Sequence, residues 1–261
     1  MSALVSTAGG IATVTLNRPA RYNAFDDALI RELRGVLAEL AGDAAVRVLA
    51  LAGAGKSFCA GADLQWMKRA ADYDERQNIA DAEALAGLLD ALFRFPKPTV
   101  ACVNGAALGG GAGLVSCCDI AIAAAGAKFG FSEVRLGLIP ATISPHVVRA
   151  IGARAAGKYF LSGGIFDAAE ALRIGLVHQV TAAENLRGAV QAQCEQLLHG
   201  GPQAQRECKK LLRRVDNAGH GGELTAATAR LLARFRAGGE GRAGIAAFLA
   251  KRRPPWAPDK K

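Results

Sequence analysis

Val103-Asn-Gly-Ala-Ala-Leu-Gly-Gly-Gly-Ala-Gly-Leu-Val-Ser-Cys-Cys-Asp119 carries no charge before its last residue and places glycine at 105, 109, 110, 111 and 113. Glycine inside a regular element costs roughly 0.5–1 kcal/mol relative to alanine, so this run implies a need for bare backbone. The apolar stretch Thr99 to Val103 before it reads as a buried strand, and a helix start follows the glycines. The first N–H groups of a helix point outward unpaired, and its dipole favours negative charge there. Two such donors aimed at one point make an oxyanion hole, which a larger side chain would obstruct.

Working outward, Ile11 to Leu16 reads as a strand ended by Asn17-Arg18-Pro19. Asp26 or Asp27 is placed to cap a helix whose Ile30, Leu33, Leu37 and Leu40 share one face. Val46 to Leu51 and Ile120 to Ala124 read as strands, and Tyr73 to Phe95 as a long helix stopped by Pro96 and Pro98. Strands alternating with helices predict an α/β fold over residues 1–200. From Pro202 the pattern is helical to Ala250, which predicts a separate helical section over 201–261. An internal echo at an offset of 50 relates Gly55, Gly61, Ala62 and Leu64 to Gly105, Gly111, Ala112 and Leu114. It puts Ala60 and Gly110 at equivalent strand-to-helix corners.

Composition narrows the function. The 261 residues are 51% hydrophobic, enough for a sizeable core, and the net charge of +9 favours anionic partners. Basic residues cluster in Lys209-Lys210-Leu-Leu-Arg213-Arg214 and Lys251-Arg252-Arg253, but aromatics are only 6% and do not interleave with them. A base-stacking nucleic-acid surface is therefore not expected. Six cysteines without a CxxC pair, and four histidines without metal-ligand spacing, read as free thiols in a reducing compartment with no metal site. No secretory or transit pattern is present at the N-terminus, so the cytoplasm is the expected location. Residues 98–118 are uncharged, yet Pro98, Asn104 and the glycines fit a buried strand, turn and helix better than a membrane span. Gly53-Ala-Gly55-Lys56-Ser57 lacks the first glycine of a phosphate-binding loop, because position 50 is alanine. Leu114 breaks the dinucleotide pattern begun by Gly109 and Gly111.

Phe58-Cys-Ala-Gly-Ala-Asp-Leu64, the Val103 to Gly111 run and Phe129-Gly-Phe-Ser-Glu-Val-Arg-Leu-Gly-Leu-Ile-Pro140 resemble three signatures of the crotonase (enoyl-CoA hydratase/isomerase) superfamily. Asn17-Arg-Pro-Ala-Arg-Tyr-Asn-Ala24 resembles its N-terminal signature. The resemblance covers nearly the whole chain and implies a spiral of ββα units with a helical C-terminal trimerisation section, assembled as a trimer or a dimer of trimers. It implies acyl-CoA thioester substrates, no cofactor beyond the CoA of the substrate, and oxyanion donors at the Ala60 and Gly110 amides. The backbone of Ala62, Asp63 and Leu64 is expected along the CoA. Lys56, Arg21 and Lys251 are either phosphate contacts or solvated surface charges, and Trp66 and Met67 either line the acyl pocket or pack the core.

The resemblance makes Glu133 the acid–base group. A second glutamate, common in the family's hydratases, is matched here by Gly113. Gly113 to Asp119, Ser132 to Leu138, Ile143-Ser-Pro-His-Val-Val148 (in place of a common Gly-Gly-Thr-Gln-Arg run) and Phe248 to Trp256 look like the bacterial methylglutaconyl-CoA and isohexenylglutaconyl-CoA (carboxygeranoyl-CoA) hydratase group of leucine and acyclic terpene breakdown. The expectation is hydration of a branched, carboxyl-bearing 2-enoyl-CoA, with a Δ3,Δ2-enoyl-CoA isomerase as the alternative. A non-catalytic acyl-CoA-binding or RNA-binding member of the fold is the reading from another class. His146 or Arg149 is a candidate counter-charge for a substrate carboxylate, or else a surface residue of a helix beginning after Pro145.

Overall fold

The computed structural model describes residues 1–216 and 221–258. Its strands form two sheets. The six-stranded sheet runs β1 (Ala3–Ala8), β2 (Ile11–Leu16), β3 (Val48–Gly53), β5 (Thr99–Val103), β7 (Ile120–Ala124), β10 (Gln179–Thr181). The four-stranded sheet runs β4 (Ser57–Cys59), β6 (Ala106–Leu108), β8 (Lys128–Gly130), β9 (Ile165–Asp167). Beyond the β1–β2 hairpin, each coil of chain lends one strand to each sheet: β3 then β4, β5 then β6, β7 then β8. This is a spiral of α/β coils, and the offset-50 echo marks its step from β3 to β5, the next step to β7 being twenty residues. In the parallel pairing of β3 with β5, Leu49 faces Thr99 and Ala52 faces Cys102, fifty residues on.

The helices are α1 (Asp27–Gly42), α2 (Leu64–Ala70), α3 (Glu75–Phe93), α4 (Gly110–Cys117), α5 (Ser144–Ser162), α6 (Ala168–Arg173), α7 (Leu186–Leu198), α8 (Pro202–Asp216), α9 (Gly222–Ala237) and α10 (Gly239–Leu249). Asp26 caps α1 through the Leu29 amide and the helix buries Leu29, Ile30, Leu33, Leu37 and Leu40, the stripe expected from its spacing. A capping box at Asp74 and Gln77 starts α3 two residues later than Tyr73. The strand expected from Val46 begins at Val48, because Arg47 and Val48 both donate to the Gly10 carbonyl where the ladder with β2 opens. One core fills the space between the sheets and α1, α3, α4 and α5. A second lies under α7 on the other face of the larger sheet, where Ile11, Val48, Ala50 and Val100 meet Leu186 and Val190.

From Pro202 the described residues hold helices and no strand; residues 217–220 and 259–261 of the expected 201–261 section lie outside the described residues. This section is tied back to the spiral. Lys209 is 7% exposed, and its ammonium donates to Asp119 Oδ2 at 2.5 Å and to the Lys97 carbonyl at 3.0 Å. The basic cluster at 209–214 is therefore not one solvated face. No described helix is long and apolar enough to cross a membrane.

Candidate active site

Strands β4, β6 and β8 are neighbouring and parallel, so their carboxyl ends lie side by side. Each end leads into one of the quoted motifs: Ala60 to Asp63, Gly109 and Gly110, and Ser132 with Glu133. Ligands of open α/β sheets gather at such ends. The three corners are in contact. A Cβ on Gly61 would meet the Leu108 carbonyl oxygen at 3.0 Å, and one on Gly109 would meet Glu133 Oε1 at 3.0 Å. A Cβ on Gly110 would meet the Phe25 ring at 3.0 Å, and Phe25 bridges to Ala62. Gly61 at φ +91° and Gly109 at φ +49° sit in the left-handed region, so these two glycines serve both clearance and backbone shape.

The amides decide which donors are free. The Ala60 N–H donates to the Tyr22 carbonyl at 3.0 Å. That corrects the expectation of an oxyanion donor at Ala60, since its proton is already committed. Phe25 donates to the Gly61 carbonyl and Asp63 donates to the Phe25 carbonyl, both at 2.7 Å, and between them Ala62 finds no acceptor among the described residues. Ala62 is exposed, and Gly110 opens α4 with no side-chain cap. The free pair is Ala62 and Gly110.

Glu133 opens a short 3-10 turn, Glu133–Leu136. Its Oε2 is buried without a hydrogen-bond partner, and burial raises its pKa above the ordinary value. A buried carboxyl oxygen with no donor is costly unless something else uses it. Gly113 is buried on α4, and a Cβ there would meet Ile143 Cγ2 at 2.5 Å.

The Asn17 to Ala24 motif supports these corners. Asn23 is fully buried at φ +57° and its side chain joins Arg18 N, the Ala54 carbonyl and the Ser57 carbonyl. Arg18 reaches Asp26 at 2.7 Å and Asp63 at 3.1 Å, and Arg21 reaches Asp63 at 2.9 Å. Burial pushes the Asp63 carboxyl up, but Arg21 and the capped Gln65 and Trp66 amides outweigh it and hold its pKa below the usual value. Arg18, Asn23 and Phe25 are the positioning residues that the sequence reading missed. Their signal was a buried-strand end followed by a polar residue able to adopt positive φ.

The remaining candidates divide. Arg21 is half-exposed but held by Asp63, while Lys56 and Lys251 are exposed and Leu64 is exposed at the start of α2. Trp66 is buried in the main core with its indole N–H on Asp81 at 3.0 Å, which fits the packing alternative. Met67 is half-buried. Arg149 is held by Asp216 at 2.6 Å and lies over the Phe93 ring, which His146 also contacts, so its charge is already answered. Burial lowers the His146 pKa. No cluster of three or more potential metal ligands occurs among the described residues.

Two corner amides without acceptors beside a desolvated carboxyl are the donors and acid–base group that an enzyme stabilising a developing oxyanion needs. The family model described as "Enoyl-CoA hydratase/isomerase" matches residues 6–259, and the chain belongs to that family. It is similar to the 2,3-dehydroadipyl-CoA hydratase of Escherichia coli (strain K12), 35% identical, with 97% of each chain covered. Among solved structures it is similar to an enoyl-CoA hydratase from Shewanella pealeana, at 42% identity and TM-score 0.95, covering 98% of this chain and 96% of that one. It is also similar to AtuE of Pseudomonas aeruginosa, at 41% identity and TM-score 0.94, covering 99% and 100%. The chain is an enoyl-CoA hydratase-type hydro-lyase acting on an acyl-CoA thioester.

Proposed function

We propose that the enzyme adds water to a branched or carboxyl-bearing 2-enoyl-CoA, with Ala62 and Gly110 as oxyanion donors and Glu133 as its one acid–base group. The Glu133 carboxylate takes a proton from water as the hydroxyl bonds to C3. The C2–C3 π electrons pass toward the thioester oxygen, where charge develops against the two amides. Glu133 then returns the proton to C2, giving the 3-hydroxyacyl thioester. The observation that carries this reading is the buried, unpartnered Oε2 of Glu133, with Oε1 of the same carboxyl set against the Gly109 corner. Removing such a general base typically costs about 10²–10⁴ in rate. Glu133→Gln is expected to fall in that range in a hydration assay with products identified by mass, and full activity would overturn the assignment.

The acyl class rests on motif resemblance to methylglutaconyl-CoA and isohexenylglutaconyl-CoA hydratases and on the E. coli relative, whose name specifies an acyl group with a second carboxyl. Leucine or acyclic terpene breakdown is the setting such substrates imply. Ala62 to Leu64 is the proposed CoA-contacting backbone, with Lys56 and Lys251 the exposed cations offered to its phosphates and no further cofactor called for. A trimer or dimer of trimers fits the exposed Phe248 and Leu249 on α10, and free cysteines fit a cytoplasmic enzyme. Isomerisation of a 3-enoyl-CoA, moving a proton from C2 to C4 through Glu133, is the second reading because a side chain at 113 has no room.

A further inference from the structure

Gly113 donates to the Gly109 carbonyl at 3.0 Å, so the two glycines stand one turn apart on the same face of α4. Different side chains cover their bare Cα positions. The Glu133 carboxyl lies over Gly109, and Ile143 lies over Gly113 with Leu89 beside it.

Ile143 is held firmly in place. It is 1% exposed, and its carbonyl accepts from Val147 at 3.0 Å and from His146 at 3.1 Å as α5 begins. A Cβ at 113 would lie 2.5 Å from Ile143 Cγ2 and 3.1 Å from Ile143 Cβ, so more than a flexible tip must move. The two positions exclude each other: either 143 is large and 113 bare, or the reverse.

Building on the functional reading above, we propose that Ile143 is a specificity-determining residue that keeps the site single-acid by plugging the space over Gly113. With the plug in place, a water brought to Glu133 meets no second carboxylate from α4. Proton return to C2 or C4 of the acyl chain therefore competes with hydroxyl transfer to C3. Ile143 bears on that partition by barring an acidic side chain from position 113.

The test is a four-protein cycle of wild type, Gly113→Glu, Ile143→Ala and the double variant. Each is assayed for thermal stability and for hydration of crotonyl-CoA against isomerisation of 3-hexenoyl-CoA. Gly113→Glu alone is expected to lower Tm by about 5 °C or more through overpacking. The double variant is expected to recover at least half of that loss. It is also expected to raise the hydration-to-isomerisation ratio by about tenfold over Ile143→Ala, the effect of one charge-assisted contact to the attacking water. A Gly113→Glu protein as stable as wild type would overturn the plug. A double variant with the same ratio as Ile143→Ala would overturn its role in partition, which a purely structural residue would not move. Wild type inert toward both thioesters and toward methylglutaconyl- and isohexenylglutaconyl-CoA would instead overturn the functional reading. The stability cycle needs no turnover, so the two failures are distinguishable.

Discussion

At the scale of single residues, the role proposed for Glu133 comes at a cost in stability. Burial holds its carboxyl above the ordinary value of about 4.3 and leaves Oε2 without a donor. A raised carboxyl favours the protonated native state, so its stabilising contribution is whole below the unfolded value. It is lost as pH rises through the folded value. Glu133→Gln is therefore expected to be slower yet more stable, with a Tm advantage that grows across that window and levels off above it. Thermal scans from pH 4 to 8 check this, and an unchanged or lowered Tm at pH 8 would contradict it. The rising acid limb of the wild-type rate profile is expected above the ordinary carboxylate range, because the base works ionised. As proposed site residues, Glu133 and Gly110 were legible because their motifs are contiguous. The second donor was not. Whether Ala60 or Ala62 has a free N–H depends on Tyr22, a carbonyl far away in sequence whose reach no local pattern encodes.

At the scale of elements, strands and helices with strong periodicity were readable, including β2, β5, β7 and the buried stripe of α1. The three-residue strands β4, β6, β8 and β9 were not, since three residues cannot display an alternation and their pairing is entirely between distant segments. Yet those strands aim the three corners at one another. The contact between α8 and the spiral was equally hidden, because Lys209 looked like one member of a basic run. Its ammonium satisfies Asp119, which also accepts from the Thr99 amide and hydroxyl between β5 and β7. Replacing Lys209 by methionine leaves the carboxylate short of a charged donor and is expected to cost about 2 kcal/mol. Urea unfolding would show this as a lower midpoint with an unchanged slope.

At the scale of the whole molecule, the tail returns to the core. Arg47 donates to the Gly200 carbonyl at 2.7 Å and to the Trp256 carbonyl at 3.3 Å, while the Trp256 indole donates to the His199 carbonyl at 3.1 Å. This leaves Phe248, Leu249 and Leu232 facing outward from the helical section. If a trimer covers them, Phe248→Asp is expected to sediment as a smaller species at micromolar concentration with its helical content kept. A wild-type mass equal to one chain would refute that assembly. The coil repeat has one more consequence, for how the chain reaches this state. Val100 finds Ile120 only twenty residues on, but Leu49 must find Thr99 fifty residues on, and Ile122 must find Gln179 fifty-seven residues on, to complete the larger sheet. Closing such loops comes ahead of the reward, so refolding is expected on the slow side, with a collapsed species preceding the ordered spiral. The active-site corners, which need three coils in place at once, would then be the last part to form, and recovery of turnover would lag recovery of helical signal.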